Sequence, residues 1–148
     1  MKAVVQRVRE ASVTVDGGVV AAIGPGLLVL LGVAPADGER EIVWMSRKLP
    51  ALRIFADEAG QMNRSLSETG GAILLVSQFT LFGDCSKGNR PGFTAAGEPG
   101  MAEACYLALA DRLRGQLGAP RVATGRFGAH MEVRLLNDGP VTLLLETP

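Results

Sequence analysis

The sequence predicts an α/β fold, a single β-rich domain with two main helices. Three observations lead there. The hydrophobic patterning runs as about four strands, a helix, two strands, a second helix and two or three closing strands. The 148 residues, 47% of them hydrophobic, contain no linker, repeat or compositional break, so residues 1–148 read as one domain. A chain this long buries about 68–70% of its unfolded surface, enough for a core without staples. Finally, Ala72–Phe79 is a nearly continuous apolar run, the pattern of a strand buried on both faces.

Along the chain, Ala3–Val8 and Ser12–Asp16 are Val-rich strand runs, and Gly17-Gly18 signals a hairpin. Gly17 to Ala36 spans 20 residues without a charge, long enough to cross a bilayer. Gly24-Pro25-Gly26 divides it, so Val19–Ile23 and Leu27–Val33 are expected as two buried strands joined by a turn. Glu39–Leu49 is a candidate helix that Pro50 should end. Leu52–Phe55 reads as a strand before a Gly-containing loop. The second helix begins near Pro99, where proline suits the first turn, with Met101, Cys105, Leu109 and Leu113 at helical spacing. After Gly118-Ala119-Pro120, alternation returns at Met131, Val133 and Leu135, and Val141–Glu146 closes the chain.

Composition narrows the chemistry. Fifteen Lys and Arg balance fifteen Asp and Glu, which excludes a broadly basic nucleic-acid coat. One histidine, His130, precludes a multi-histidine centre in one subunit, and Cys85 and Cys105 form no CxxC, which excludes a zinc knuckle and a thioredoxin-like motif. The expectation carries no metal and no cofactor. Such cysteine usage suits a reducing compartment, and Met1-Lys2-Ala3-Val4-Val5 lacks a signal-peptide layout. The expectation is a soluble, cytoplasmic, unprocessed protein with no membrane partner. GxSxG, HExxH, P-loop and GxGxxG signatures are all absent.

Two segments stand out. In Ser77-Gln78-Phe79-Thr80-Leu81, polar residues enter a buried strand at its C-terminal end, where sites form in α/β sheets. A regular strand would turn Gln78 and Thr80 to one side and Ser77 and Phe79 to the other. The plain alternative is a strand leaving the core with its hydroxyls tied to backbone. In Asn137-Asp138-Gly139-Pro140-Val141-Thr142, Asn-Asp-Gly alone reads as a hairpin turn. The Gly-Pro bond can also be cis, as about 5–6% of X–Pro bonds are.

With these motifs the chain closely resembles the D-aminoacyl-tRNA deacylases. Ser77–Leu81 is similar to that family's SQFTL motif and Asn137–Thr142 to its NDGPVT motif. The likeness continues through Val5-Gln6-Arg7-Val8, Leu52-Arg53-Ile54-Phe55, Met62-Asn63, Lys87-Gly88-Asn89-Arg90-Pro91 and Thr124-Gly125-Arg126-Phe127-Gly128-Ala129. It spans essentially the whole chain; Gly83, Cys85 and Gly92 differ only in loop detail.

The resemblance implies a deacylase-like domain of mixed sheets with two main helices in a layered sandwich. It also implies a homodimer with sites at the subunit interface, acting on the aminoacyl-adenosine end of tRNA and not on DNA. Ser77, Gln78, Phe79 and Thr80 would supply the catalytic segment, mainly through backbone and positioning. Gly139 and Pro140, joined by a cis bond and reaching into the partner's site, would hold the substrate amino group with their carbonyls. That arrangement leaves no room for an L side chain, while D-amino acids, and glycine mischarged on tRNA(Ala), still fit. Asn137 belongs to the same binding segment, and Arg7 would brace it; an ordinary strand-face ion pair is the alternative for Arg7. Phe79, Phe127 and Met131 would wall the adenosine pocket, with core packing as the alternative for Met131.

Thr80 is the obvious hydroxyl nucleophile in the motif, but no base is visible to activate it. Hydrolysis assisted by the substrate's own 2′-OH is therefore expected, with amides around Gln78–Thr80 receiving oxyanion charge. The five arginines from Arg112 to Arg134 (Arg112, Arg114, Arg121, Arg126 and Arg134), and Lys87 with Arg90, are candidate phosphate contacts near the acceptor end. Two other classes fit the same residues. One is a noncatalytic RNA-end-binding module that protects the ester; the other is a small-molecule enzyme with an interface site.

Overall fold

The computed structural model describes residues 1–148. Its hub is β1 (Lys2–Val15), a single strand that joins the two expected runs Ala3–Val8 and Ser12–Asp16 through Arg9 and Glu10. Both residues are exposed, so their charges stay in water while the backbone continues. The first half of β1 pairs antiparallel with β3 (Gly26–Gly32), its second half with β2 (Gly18–Ile23). The hairpin turns at Asp16-Gly17, one residue earlier than the Gly-Gly signal: both have positive φ, 51° and 77°, as a two-residue primed turn requires.

Parallel strands β6 (Ala72–Ser77) and β7 (Val122–Thr124) extend the sheet beyond β3. On the other side of β1 lies β8 (Glu132–Glu146), paired along almost its whole length. The mixed sheet curls until β2 touches β6 and β7, so it nearly closes on itself. Ile73 and Leu75 of β6 enter one core, under the helices; Leu74 and Val76 enter a second, inside the curl. That explains the uninterrupted apolar run of β6. By contrast β2 is mostly exposed, with Val19 67% accessible, because only one of its edges and part of one face are covered.

The helices α1 (Glu39–Ala51) and α3 (Pro99–Leu117) pack on the first core, and α2 (Leu66–Thr69) adds one turn. Pro50 lies inside the last turn of α1 and does not stop the helix before it. A proline forfeits one intrahelical N–H bond, but here its buried ring packs in the core and its carbonyl accepts from Ser67 Oγ. Cys105 is buried on α3, and burial pushes its thiol pKa upward, consistent with an apolar packing role. No helix is long and apolar enough to cross a membrane.

The Leu52–Phe55 strand is displaced. Only Phe55–Ala56 (β4) pairs, with Met62–Arg64 (β5), around a loop in which Asp57 accepts the amides of Ala59 and Gln61. The carbonyl of Ile54 instead receives a bond from Arg7 Nη1.

Candidate functional site

Strand β6 ends at Ser77. The amide of Gln78 makes one last bond, to Leu31 O at 2.7 Å, and Phe79–Phe82 then winds into a 3-10 turn. The expected alternation of Gln78 and Thr80 against Ser77 and Phe79 therefore does not occur. Glycine at the end of β3 makes room for the turn. A Cβ on Gly32 would meet the Phe82 ring at 2.9 Å and Gln78 O at 3.1 Å, so no larger residue fits beneath it. The first bond of the turn joins Leu81 N–H to Gln78 O, leaving the amides of Phe79 and Thr80 unused by it. Gln78 Nε2 donates to Thr80 Oγ1, so the Thr80 hydroxyl faces an amide and not a base.

Beside this turn lies a cavity of about 600 Å³. Ser77, Gln78 and Phe79 line one side and Phe127 and Met131 another, five of the ten residues that the sequence motifs point to. Phe79 is 58% exposed and meets the Phe93 ring edge-on at 5.1 Å. Tyr106, from α3, lies against Phe127 and donates its hydroxyl to Leu75 O at 2.8 Å. Burial pushes its pKa up to about 12, so it is a neutral donor at the cavity wall. Phe93, Tyr106, Glu98 and the exposed His130 also line the cavity, though the sequence reading assigns none of them to the site. A polar-rich loop preceding an aromatic is the available signal for Phe93. Tyr106 gives none, being one more large residue on a helix.

Asn137–Thr142 is not a hairpin turn. β8 runs through it and pairs with β1 on both sides, and the Gly139-Pro140 bond is cis. From the Gln6–Thr142 pair to the Val8–Asn137 pair, β1 advances two residues (6 to 8) while β8 steps back five (142 to 137). The three extra residues form a bulge. Asn137 pins it: its Oδ1 accepts the Val141 amide at 2.8 Å, and its Nδ2 donates to Val141 O and Thr142 Oγ1. Arg7 Nε donates to Asp138 O at 2.8 Å, and the Asp138 carboxylate lies 3.4 Å from Arg7 and 3.3 Å from Arg9. Gly139 has φ +154°, and a Cβ there would meet Val141 N at 2.6 Å.

The candidate residues thus fall into two groups. Ser77, Gln78, Phe79, Phe127 and Met131 border the cavity, with Thr80 on the adjoining turn. Arg7, Asn137, Gly139 and Pro140 build the bulge and border no part of that cavity. The bulge lies on β8, which has no partner on its outer edge and exposes Leu135, Leu136 and Leu144, the last 81% accessible.

Comparisons with known proteins agree over the full length. Residues 4–146 match the model of the D-Tyr-tRNA(Tyr) deacylase family. A D-aminoacyl-tRNA deacylase from Myxococcus xanthus is 59% identical, covering 100% of this chain and 95% of that protein. One from Chlorobaculum parvum is 55% identical, covering 100% and 99%. A solved structure titled c-Myc DNA Unwinding Element Binding Protein superposes with TM-score 0.95 at 46% identity, covering 100% of this chain and 99% of that one. A probable eukaryotic D-amino acid tRNA deacylase, 20% identical over 97% of each chain, shares the fold with TM-score 0.87. With a family match over residues 4–146 and full-length relatives above half identity, the chain belongs to the D-Tyr-tRNA(Tyr) deacylase family.

Proposed function

We propose that this chain, as one domain over residues 1–148, hydrolyses the ester joining a D-amino acid, or glycine mischarged on tRNA(Ala), to the 3′-terminal adenosine of tRNA. The observation that carries the reading is a roomy cavity bordered by an aromatic wall and a turn whose opening amides are free, without an activated nucleophile. An ester is an activated acyl group, so water, orientation and oxyanion donors suffice. A preorganised donor contributes roughly 2.7–4 kcal/mol to the transition state. Phe79 and Phe127 suit stacking against adenine, and Met131 suits its edge. The substrate's 2′-OH orients the water.

The working unit in this reading is a cytoplasmic homodimer. The separation of bulge from cavity, and the bare apolar edge of β8, support a second copy that brings its Gly139 and Pro140 carbonyls to this cavity. There they hold the α-amino group and leave no space for an L side chain. Lys87 and Arg90 hold phosphates near the acceptor end.

The test is deacylation of matched D- and L-aminoacyl-tRNA beside a no-enzyme control. Rapid loss of the D form alone supports the deacylase. Protection of the ester points to an RNA-end-binding module, and indifference to both tRNAs points to a small-molecule enzyme.

A further inference from the structure

We infer that the outward face of α1 is a second RNA-contacting surface, which holds the phosphodiester backbone of the tRNA away from its 3′ end. The inference takes its ligand from the deacylase reading.

Arg40, Val43, Trp44, Arg47, Lys48 and Ala51 line a shallow concavity of about 430 Å³. Their three- and four-residue spacing makes one stripe, next to the stripe of Ile42, Met45 and Leu49 that α1 buries. The stripe is an apolar strip bordered by cations, with Lys48 Nζ lying 5.2 Å from the centre of the Trp44 ring.

The distribution of charge singles this face out. Of fifteen Lys and Arg, seven pair with carboxylates: Lys2, Arg7, Arg9, Arg40, Arg112, Arg114 and Arg126. Three more, Arg53, Arg64 and Arg121, donate to backbone carbonyls. That leaves five with neither kind of partner: Arg47, Lys48, Lys87, Arg90 and Arg134. On α1 the nearby acids are already engaged, Glu41 by Arg40 and Glu39 by Arg112, so Arg47 and Lys48 present uncompensated charge.

Zero net charge means that affinity for a polyanion must come from local clusters. Lys87 and Arg90 lie in the loop that the Phe79–Phe93 contact ties to the cavity, suiting phosphates next to the terminal nucleotide. Arg47 and Lys48 border none of that cavity, and so suit a separate stretch of backbone in the same long polyanion. Phosphate contacts of this kind fix register without reading sequence, which serves an enzyme acting on many tRNAs.

The experiment compares wild type with an Arg47→Ala/Lys48→Ala double variant, after confirming equal melting temperatures. Uncharged tRNA is titrated across a salt series, and kinetics are measured on D-aminoacyl-tRNA and on D-aminoacyl-adenosine, which lacks the tRNA body. The slope of log affinity against log salt should shrink by about 1.5, at roughly 0.7–0.9 for each phosphate that the variant no longer neutralises. KM for the tRNA substrate should rise about tenfold with kcat unchanged. Hydrolysis of the adenosine ester should not change, and Arg47→Lys/Lys48→Arg should restore tRNA binding. An unchanged slope and KM on tRNA would overturn the inference, as would equal losses on both substrates. Wild-type binding of duplex DNA as tight as of tRNA, with the same loss in the variant, would also overturn it. If wild type cleaves neither ester but the salt slope still falls in the variant, the deacylase reading fails and the RNA surface stands.

Discussion

Arg7 Nε donates to the carbonyl of Asp138 at 2.8 Å, one residue ahead of Gly139, while Nη1 of the same guanidinium donates to Ile54 O. One mostly buried side chain thus ties the β8 bulge to the segment before β4. Lysine keeps the charge but cannot reach two carbonyls in that fixed fork. Arg7→Lys should therefore lower kcat/KM for the D-substrate about ten- to a hundredfold, a charged hydrogen bond being worth about 1.5–3 kcal/mol. The outcome is read from steady-state kinetics; wild-type kcat/KM in the variant would remove Arg7 from the positioning role.

Gly139 combines φ +154° with Val141 N only 2.6 Å from where a Cβ would stand. Gly139→Ala should lower the melting temperature by several degrees, since such backbone strain costs about 1–3 kcal/mol. It should also displace both carbonyls proposed to hold the substrate and so abolish D-specific hydrolysis. Gly100→Ala is the control: no atom lies within 4 Å of its Cβ, and it sits in α3, so stability should hold or rise.

Much of the fold was legible because it is written locally. The apolar run of β6, proline at the start of α3 and the Gly-Pro-Gly break before β3 each carry their own signal. What misled was long-range pairing. Asn137-Asp138-Gly139 has turn chemistry, and nothing within the segment reveals that both flanks pair with the same strand. The strand ending after Ser77 is likewise set by Gly32, forty-five residues earlier in the chain (77 − 32). Candidate site residues could be proposed from motifs, but their division between cavity and bulge is a property of the fold.

Leu144, 81% exposed on the open edge of β8, tests the proposed dimer. Leu144→Glu places a charge where a self-complementary apolar edge is expected, and two copies would face each other there. Sedimentation should show monomers at micromolar concentration, with deacylation lost although each chain remains folded. A fully active monomer would refute a site shared between subunits.

The Thr80 hydroxyl has the Gln78 amide as its partner, so Thr80→Ala should retain activity within about tenfold, as removing an unactivated group costs little. A tRNA ending in 2′-deoxyadenosine should react poorly with wild type and variant alike. Normal turnover of the deoxy substrate would return the chemistry to the protein.

Glu41 closes the start of α1 by accepting the Gly38 amide at 2.9 Å while Arg40 Nε donates to its other oxygen at 2.7 Å. The Arg40 bond first, and the Gly38 amide next, hold its pKa at about 2, below the ordinary 4.5. The unfolded chain therefore binds the proton more readily than the folded one. The stabilisation is fully present above about pH 4.5 and disappears as pH falls toward 2. Glu41→Gln should flatten the dependence of melting temperature on pH across that window and lower stability at pH 7. A variant with the same acid slope as wild type would show that other carboxylates govern acid unfolding.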